Sequence, residues 1–462
     1  MIAGTHSSVG KTTWFLALMS LAQQNKFCVQ PFKVGPDYID PTFHHQISHS
    51  RKSRNLDLFL LSQEQVQMSF QRNTQEVDFA LVEGMMGLFD GKASTTAEGS
   101  SAEVAKILGL PVFLVIDGSG LATSAAALVL GFQTFDPELN LAGVLMNRIN
   151  SETHYQWLRH AIEARTGVPC LGYLPSEASL RIPERHLGLT TAAESEGTFE
   201  KIQRACELLK SHFDWNRFLE ISKSSRPAAK VRVENSSSGN GGGPRRQSPP
   251  PRCRIGIAYD VAFSFYYEDN FDCLKEAGAE ILFFSPVEDK GLPEGLDLLY
   301  FGGGFPEIYA AKLAQNQSMI AAVRQFYRQG GFIYAECGGF IYLTEGFHSE
   351  KETYPLAGLI PGRIEMTHRL QHFGYHELEA VSDTFLFPSG KRLRSHEFHY
   401  SIWHPEGSFR AAYRIGDRTE GFVAGRLLAS YQHLHFGSDP EIAKAMIERR
   451  EKAKTMASPS RS

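Results

Sequence analysis

A glycine-rich loop close to the first residue constrains the fold of this chain more than any other feature. The sequence starts MIAGTHSSVGKTT, and the helical pattern TWFLALMSLAQQ begins at the last residue of that segment. Gly4 and Gly10 allow backbone N–H groups to turn inward, Lys11 can reach terminal phosphates, and the Thr12 hydroxyl can contact Mg²⁺. We therefore predict a strand–loop–helix unit that binds a polyphosphate.

The spacing inside this loop narrows the class of protein. Five residues separate Gly4 from Gly10, whereas the usual GxxxxGK[ST] pattern has four. The longer loop resembles that of the dethiobiotin synthetase-like ATPases, which activate a carboxylate with ATP. The alternative is a GKT sequence that arose by chance in a loop. Because only Met1, Ile2 and Ala3 precede the loop as strand residues, we expect the reading frame to begin upstream.

Short apolar runs alternate with helical patterns on both sides of a polar linker. DFALVEG, PVFLVIDG and LAGVLMNRI are typical of buried parallel strands, and the pattern restarts with RIGIAYD, ILFFSP, LDLLYFGGG and GGFIYAECGG. This alternation predicts an α/β fold with two domains. The expected boundaries are a first domain at 1–221, a flexible Ser/Gly/Pro/Arg linker at 222–252, a second domain at 253–446 and a disordered tail at 447–462.

Composition and charge exclude several classes of protein. The chain has 47 Lys and Arg against 51 Asp and Glu, so its net charge of −4 gives no overall cationic field for nucleic acid or an anionic membrane. No apolar run reaches the roughly 18 residues of a membrane span, and no signal-peptide pattern is present. Scattered cysteines without a CxxC pair indicate a reducing compartment. We therefore expect a cytoplasmic protein with neither a nucleic-acid nor a membrane partner.

Carboxylates follow predicted strands of the first domain. PFKVGPDYIDP places Asp37 and Asp40 in a proline-stiffened turn, and ALVEGMMGLFDG places Glu83 at the end of a buried strand and Asp90 shortly after it. The carboxyl ends of parallel strands meet at one sheet edge, where ligands bind. Glu83 is therefore the predicted second contact for Mg²⁺, with a helix cap as the alternative. Asp117, which ends a further strand, is another candidate.

A cysteine in the second domain lies between an apolar strand and an apparent helix. The segment GGFIYAECGGFIYL places Cys337 before two glycines, and a helix N-terminus lowers the pKa of a thiol. SYQHLHF supplies His433 and His435 as candidate bases for this nucleophile. The glycines at 302–304 end another strand, where backbone N–H groups can form an oxyanion hole. The alternative is a buried cysteine that serves only packing.

Seven ordered segments resemble the cobyrinate a,c-diamide synthase family, and they cover nearly the whole chain apart from the linker and tail. They are GTHSSVGKTT, PFKVGPDYIDP, EGMMGLFDG, YFGGGFPE, AECGGFIYL, RSHEFHYS and SYQHLHF. The resemblance implies a P-loop, dethiobiotin synthetase-like ATPase domain followed by a class I glutamine amidotransferase-like domain. The implied reaction is amidation of the a and c side-chain carboxylates of cobyrinate in cobalamin biosynthesis, with ATP, Mg²⁺ and ammonia released from L-glutamine.

The same resemblance implies roles for the candidate residues. Cys337 is the expected nucleophile that forms a thioester, His433 its base, and Gly303 and Gly304 the oxyanion donors. The ATP site is expected at Gly10, Lys11, Thr12 and Thr13, the Mg²⁺ contacts at Thr12 and Glu83, and the substrate carboxylate beside Asp37, Asp40 and Asp90.

The second domain departs from the broader class I glutaminases at the base. Those enzymes carry His-x-Glu, in which the carboxylate orients the imidazole, whereas this chain has His433-Leu434-His435. The resembling family shares this departure, so the match holds while the third catalytic residue stays open. Glu397, in RSHEFHYS beside His396 and His399, is a candidate if the fold brings it near, and His435 is an alternative base.

Three alternatives to the implied reaction follow from the motifs. Nickel-sirohydrochlorin a,c-diamide synthase has nearly the same motifs, and cobyric acid synthase amidates other carboxylates of a later intermediate. In a different class, a partitioning-type ATPase would carry a lysine early in the loop, and residues 5–9 contain none. The expected partners are cobyrinate, L-glutamine and ATP, and a homodimer is the assembly we consider.

Overall fold

The computed structural model describes residues 1–48, 51–92, 96–180, 197–224, 251–348 and 352–448. The chain forms two compact units, Met1–Ser236 and Ser237–Ser462. Residues 225–250 of the expected linker and residues 449–462 of the expected tail lie outside the described residues. Within the described ranges, no helix is both long and apolar enough to cross a membrane.

The described part of the first unit contains one sheet of seven parallel strands, in the order β3-β2-β4-β1-β5-β6-β7. Helices cover both faces, so the central strands are apolar on both sides, as their sequences predicted. The strands are β1 (Ile2–Gly4), β2 (Val29–Val34), β3 (Arg54–Leu56), β4 (Phe79–Glu83), β5 (Val112–Asp117), β6 (Leu141–Ile149) and β7 (Cys170–Pro175).

The helices of this unit begin and end at residues suited to caps. The Ser151 hydroxyl accepts a hydrogen bond from the N–H of His154, and Gly167 ends the same helix with a φ of 69°. The helices are α1 (Lys11–Gln24), α2 (Asp40–Ser48), α3 (Gln63–Asn73), α4 (Ser101–Leu108), α5 (Ser124–Phe135), α6 (Glu152–Thr166), α7 (Thr198–His212) and α8 (Trp215–Ser224).

One edge of this sheet collects the predicted ligand-binding segments. In the sheet register, Glu83 on β4 lies opposite Lys33 on β2 and Ile2 on β1. The glycine-rich loop follows β1, and the segment with Asp37 and Asp40 follows β2. Three neighbouring strands therefore deliver these residues to the same carboxyl edge, as parallel topology requires.

The second unit is built around a six-stranded sheet with the order β20-β21-β11-β10-β8-β9, parallel except for its β20 edge strand. Its strands are β8 (Cys253–Ala258), β9 (Ala279–Phe284), β10 (Leu298–Phe301), β11 (Phe332–Glu336), β20 (Phe422–Ala424) and β21 (Leu427–Ser430). The helices described here are α9 (Glu268–Glu276), α10 (Ala310–Gln315), α11 (Gln317–Arg328) and α12 (Gly338–Leu343).

Two smaller sheets extend this unit. One has the order β13-β12-β14-β17 and the other β19-β18-β15-β16-β22, in which His396 pairs with His433. Their strands are β12 (Thr344–His348), β13 (Thr353–Pro355), β14 (Ile360–Met366), β15 (His372–Ala380), β16 (Arg392–His399), β17 (Ser401–Pro405), β18 (Tyr413–Ile415), β19 (Arg418–Glu420) and β22 (His433–Leu434).

The folded elements run slightly past two of the expected boundaries. Helix α8 continues to Ser224, beyond the expected end of the first domain at 221. Ile447, which the sequence pattern assigned to the tail, is 1% exposed and packs into an apolar cluster of the second unit. Apolar side chains that complete a core hold these segments, and local composition does not reveal such long-range packing.

Replacement of Trp14 tests the packing of α1 against the sheet. Trp14 is fully buried and lies edge-on to Phe213, whereas Trp157 on α6 is 71% exposed. We expect Trp14→Ala to lower the free energy of unfolding of the first unit by roughly 3–5 kcal/mol, because it removes contacts and leaves a cavity. The control Trp157→Ala should change it by less than about 0.5 kcal/mol. Urea unfolding followed by circular dichroism measures both, and equal effects would contradict this packing.

Candidate functional site

The glycine-rich loop of the first unit is fixed by bonds to β6. Gly10 has a φ of 104°, and a Cβ added there would lie 2.1 Å from Asn147 Nδ2, so a side chain is excluded. Asn147 Nδ2 donates to the carbonyl of Val9 at 2.8 Å, and Arg148 Nη2 donates to the carbonyl of Ser8 at 2.8 Å. The loop that the sequence predicted is therefore a rigid turn, with Lys11 and Thr12 at the start of α1.

Glu83 lies beside the P-loop threonine, as the sequence predicted. The Thr12 hydroxyl donates to Glu83 Oε1 at 2.6 Å. His44 contacts Glu83 Oε2 through Nε2 at 2.8 Å and Ser53 Oγ through Nδ1 at 2.9 Å. Because a carboxylate only accepts, Nε2 carries the proton and Nδ1 accepts from the serine. Glu83 is thus held on one side by Thr12 and on the other by a buried histidine.

Lys33 joins the carboxylates of this edge. Its ammonium is almost fully buried, forms a close ion pair with Asp40, and lies 3.5 Å from Glu83 Oε1 and 3.6 Å from Asp37 Oδ2. These carboxylates raise the pKa of Lys33 despite its burial. A charged lysine is therefore maintained inside the protein by its acidic neighbours.

The electrostatics of the edge favour a charged Glu83 and a less basic Lys11. Burial opposes ionisation of Glu83, but Lys33, His44 and Thr12 outweigh it and lower its pKa to about 2. Burial, and next the charge of Lys33, lower the pKa of Lys11 to about 8, although Glu83, Asp40 and Asp90 act in the opposite direction. Glu83, Asp40, Asp90 and Lys33 are therefore all close enough to act on Lys11.

The three aspartates predicted to receive substrate have different surroundings. Asp40 is buried at the start of α2, and its carboxylate is committed to Lys33. Asp37 Oδ1 accepts the N–H of Ile39 at 2.8 Å, and 29% of its side chain is exposed. Asp90 Oδ2 accepts the N–H of Gly87 at 2.8 Å. Asp37 is therefore accessible, whereas Asp40 is part of the support of the site.

Asp117, the further carboxylate candidate, belongs to the support of the loop. It ends β5, forms a close ion pair with Arg148, and accepts the N–H of Ser119 at 2.9 Å. Arg148 in turn donates to the loop at Ser8. Asp117 thus acts on the loop through Arg148.

Cys337 occupies the strand-to-helix turn that the sequence predicted. It follows β11, precedes α12, and has a φ of 45° and a ψ of −100°, a strained conformation for a residue with a side chain. Its N–H donates to the carbonyl of Ser430 at 2.7 Å, and its Sγ lies 3.7 Å from the carbonyl oxygen of Phe398. Cys337 is therefore held between β21 and β16.

His433 and the backbone beside Cys337 converge on Gly303. A Cβ on Gly303 would lie 2.4 Å from His433 Cε1, and a Cβ on Gly338 would lie 3.3 Å from the carbonyl carbon of Gly303. Gly303 must therefore lack a side chain for the imidazole to approach, and Gly338 leaves little room for one. In the second unit, His433 and the turn that carries Cys337 therefore both lie beside Gly303, and their roles stay a prediction.

The two glycines predicted as oxyanion donors differ in what their amides contact. The N–H of Gly303 donates to the carbonyl of Phe265 at 3.3 Å, because a short β-bridge pairs these residues, so this donor is already engaged. Gly304 N lies 3.0 Å from where a Cβ of Gly338 would be. Of the two glycines, Gly304 has its amide against the turn that carries Cys337.

His435, the alternative base, and Glu397, the candidate for the third catalytic residue, both have partners in the structure, and the charge of Glu397 also acts on His433. His435 Nδ1 accepts the N–H of Gly437 at 3.1 Å, and its ring packs on Tyr267 with centroids 4.6 Å apart. Glu397 contacts His399 Nε2 at 3.0 Å and His376 Nε2 at 3.1 Å, and it forms a close ion pair with Arg418. The carboxylate nearest to His433 is Glu336, with Oε2 3.8 Å from Nδ1.

Burial leaves the cysteine and the histidine uncharged at neutral pH. Burial, followed by the charge of Glu307, raises the pKa of the Cys337 thiol, although the N–H of Gly338 partly opposes this. Burial, followed by His396, lowers the pKa of His433 to about 3. A neutral imidazole can accept a proton and a neutral thiol can give one, which is the resting state that a nucleophile–base pair needs.

Sequence patterns missed several residues of these sites. Asn147 and Arg148 lie near the carboxyl end of β6, and the rule that ligand-binding residues gather at the carboxyl ends of parallel strands could have found them. His44 lies within α2 and carries no local signal. Glu336 directly precedes Cys337 in the sequence, but no local pattern indicates that it faces His433.

Known proteins resemble both units. Residues 1–189 match the family model for the CobQ/CobB/MinD/ParA nucleotide binding domain, and residues 254–441 match that for the CobB/CobQ-like glutamine amidotransferase domain. These matches confirm the predicted order of a P-loop domain and a glutamine amidotransferase domain. Among solved structures, the chain resembles a glutamine amidotransferase crystal structure with 21% identity over 43% of this chain and 98% of that one, at a TM-score of 0.33.

Curated relatives extend over almost the full length. A protein from Listeria innocua named cobyrinate a,c-diamide synthase is 40% identical over 97% of this chain and 98% of its own length. Proteins of the same name from Priestia megaterium and Salmonella typhimurium are 40% and 42% identical, over 98% and 96% of this chain and 97% and 96% of their own lengths. The chain therefore belongs to the cobyrinate a,c-diamide synthase family.

Proposed function

We propose that this protein is a glutamine-hydrolysing ligase that amidates the a and c side-chain carboxylates of cobyrinate with ATP. The observation that carries the proposal is the strained turn at Cys337, packed with His433 around Gly303, in a chain whose other unit carries a complete P-loop site. A carboxylate-activating site needs a nitrogen donor, and a thiol–imidazole pair releases ammonia from glutamine. The two sites together account for amide formation.

The second unit would release ammonia through a thioester. Cys337 Sγ attacks the side-chain carbonyl carbon of glutamine while its proton passes to His433. The C–N bond then breaks, and the same proton leaves with the nitrogen as ammonia. Water hydrolyses the thioester to glutamate and restores the thiol. The N–H of Gly304 is the proposed oxyanion donor, and Gly303 would join it on giving up Phe265.

The first unit would activate the carboxylate. A carboxylate oxygen of the substrate attacks the γ-phosphorus of ATP, which gives an acyl phosphate and ADP. Ammonia then attacks the acyl carbon, and the C–O bond to phosphate breaks, so that an amide, phosphate and a proton result. Lys11 and the loop N–H groups of Gly10, Thr12 and Thr13 would hold the phosphates. Asp37 and Asp90 are the proposed contacts near the substrate, with Asp40 acting through Lys33.

The residues around Thr12 fit a magnesium ion. The Thr12 hydroxyl and Glu83 carboxylate are hard oxygen donors 2.6 Å apart, the type that Mg²⁺ takes together with nucleotide phosphates. Among the described residues, no three or more His, Cys, Asp or Glu side chains form a metal site by themselves, so the nucleotide would supply the other ligands. Bound there, Mg²⁺ would neutralise charge on the terminal phosphates.

Product analysis tests the proposed substrate. We expect the purified protein, given ATP, Mg²⁺ and glutamine, to convert cobyrinate into a species with the mass of two carboxylate-to-amide exchanges. Nickel-sirohydrochlorin and the cobyric acid precursor are the matched competitors, and mass spectrometry separates their products. If the protein converted either competitor faster than cobyrinate, that competitor would be the substrate and the proposal would be wrong. ATP hydrolysis without any amide product would instead favour an ATPase switch.

Replacement of Cys337 separates the two nitrogen sources. Cys337→Ala should abolish glutamine-dependent amidation, because the thioester cannot form, and leave ammonia-dependent amidation within about twofold. Cys273→Ala, on the partly exposed α9, is the matched control and should retain both. Lys11→Ala should remove both activities, since either nitrogen source needs the acyl phosphate. If Cys337→Ala lost both while the protein stayed folded, the proposed division of labour would fail.

Gly303→Ala tests the close approach of the base. The new Cβ would lie 2.4 Å from His433 Cε1, so the imidazole must move. We expect glutaminase kcat to fall by roughly 100-fold, in line with the effect of a misplaced general base. Gly291→Ala is the control, because a Cβ at that position meets nothing within 4 Å. Steady-state glutamate release measures both, and an unchanged kcat in Gly303→Ala would contradict the role of His433.

A further inference from the structure

The base of the second unit lacks a carboxylate on its own strand, but a buried one lies on the strand of the nucleophile. His433 is followed by Leu434 and His435. Glu336, the residue before Cys337, is 2% exposed and ends β11. Its Oε2 is 3.8 Å from His433 Nδ1. The proposed nucleophile and this carboxylate are thus adjacent in sequence, and the carboxylate contacts His433.

Three donors fix the Glu336 carboxylate in this position. Oε1 accepts the hydroxyl of Tyr334 at 2.7 Å and the N–H of Leu434 at 3.0 Å, and Oε2 accepts the hydroxyl of Tyr300 at 2.9 Å. The bond to Leu434 matters most, because it ties the carboxylate to the backbone directly after His433. Glu336 therefore contacts the strand that carries His433 through Oε1, and its Oε2 lies beside the Nδ1 of that histidine.

Neighbouring carboxylates are engaged elsewhere. Glu397 contacts two histidines and Arg418, as described above, and it acts on His433 through its charge without a recorded contact. Glu420 is also buried, but its Oε1 accepts the N–H of Tyr431 at 2.6 Å. Glu336 is the carboxylate for which the structure records a contact with His433 Nδ1.

We propose that Glu336 is the positioning residue of His433, and this proposal rests on the glutaminase function proposed above. Its carboxylate selects the tautomer with the proton on Nδ1, which leaves Nε2 to accept the proton of the Cys337 thiol. When that proton arrives, the imidazolium is drawn toward Oε2, and a contact of 3.8 Å shortens into a charge-assisted hydrogen bond. A carboxylate on the nucleophile's strand thus replaces the one that His-x-Glu enzymes carry beside the base.

The electrostatics of Glu336 agree with this role. Burial raises its pKa to about 7, while Leu434, Tyr334 and Tyr300 limit the rise by donating to the charged form. The approach of an imidazolium favours the ionised carboxylate further. The imidazole therefore becomes charged beside this carboxylate when it takes the proton of the thiol, and it returns to its neutral form when that proton leaves with ammonia.

Isosteric replacement of Glu336 gives the first test. In Glu336→Gln, we expect glutaminase kcat to fall by about 100-fold or more with KM for glutamine within about threefold, because binding remains and orientation is lost. Ammonia-dependent amidation should stay within about twofold. Glu336→Asp, which keeps the charge, should recover part of the lost kcat. Glu420→Gln, a second buried glutamate without a recorded contact to His433, is the matched control and should retain kcat within about threefold.

The outcomes of this test are distinguishable. A Glu336→Gln protein with wild-type glutaminase kcat overturns the proposal, as does an equal loss in Glu336→Gln and Glu420→Gln. If the wild-type protein itself releases no glutamate from glutamine, the proposed function fails, and the positioning role falls with it.

A measurement on the wild-type protein covers the case in which Glu336→Gln does not fold. With ¹⁵N-labelled histidine, the imidazole nitrogen resonances report which nitrogen carries the proton, and His433→Asn assigns the signals of His433. We expect the Nδ1–H tautomer with a proton resonance shifted downfield. A neutral Nε2–H tautomer in the folded protein overturns the proposal.

Discussion

The buried ammonium of Lys33 is the interaction on which the first site depends. Asp40, Glu83 and Asp37 carry like charges at one sheet edge, and a lysine among them allows these carboxylates to be brought together. Removal of one partner from such a buried group costs about 3–5 kcal/mol, since the charges left behind have no compensation. Lys33 also keeps Glu83 ionised beside Thr12. The stability of the sheet edge and the proposed magnesium contact of Glu83 therefore both depend on the charge of Lys33.

The candidate site of the second unit differs from that of the first because its cysteine and histidine are uncharged. Burial holds Cys337 as a thiol and His433 as a neutral imidazole, so the resting site carries no separated charge at the nucleophile. In the proposed reaction, charge arises at this site only when Cys337 gives up its proton to attack glutamine. The hydroxyl groups of Tyr300 and Tyr334 stabilise the Glu336 carboxylate by hydrogen bonds. They add no positive charge that would compete with an imidazolium for this carboxylate.

Local patterns in the sequence predicted much of this structure, and their failures have a common cause. Three features show both reactive or polar side chains and a local change of hydrophobic periodicity. They are the loop at Gly10, the strand that ends in Glu83 and the turn at Cys337, and the structure contains each of these local structures. Lys33, Asp37 and Asp40 lie in one short segment, and the structure brings their charges together at the sheet edge. The engaged amide of Gly303 depends on a bridge to Phe265, and the contact of Glu336 depends on β22. Pairing between distant segments decides such features, and no spacing within a segment encodes it.

The bonds from Asn147 and Arg148 to the P-loop have a consequence for nucleotide affinity. A phosphate loop with an added residue has more conformations to lose, and the loss would weaken binding if it occurred when the nucleotide arrived. Here the carbonyls of Ser8 and Val9 are already tied to the end of β6. The loop is therefore preorganised. Its conformational entropy is lost when the protein folds, so the longer loop can bind phosphate without a separate ordering step.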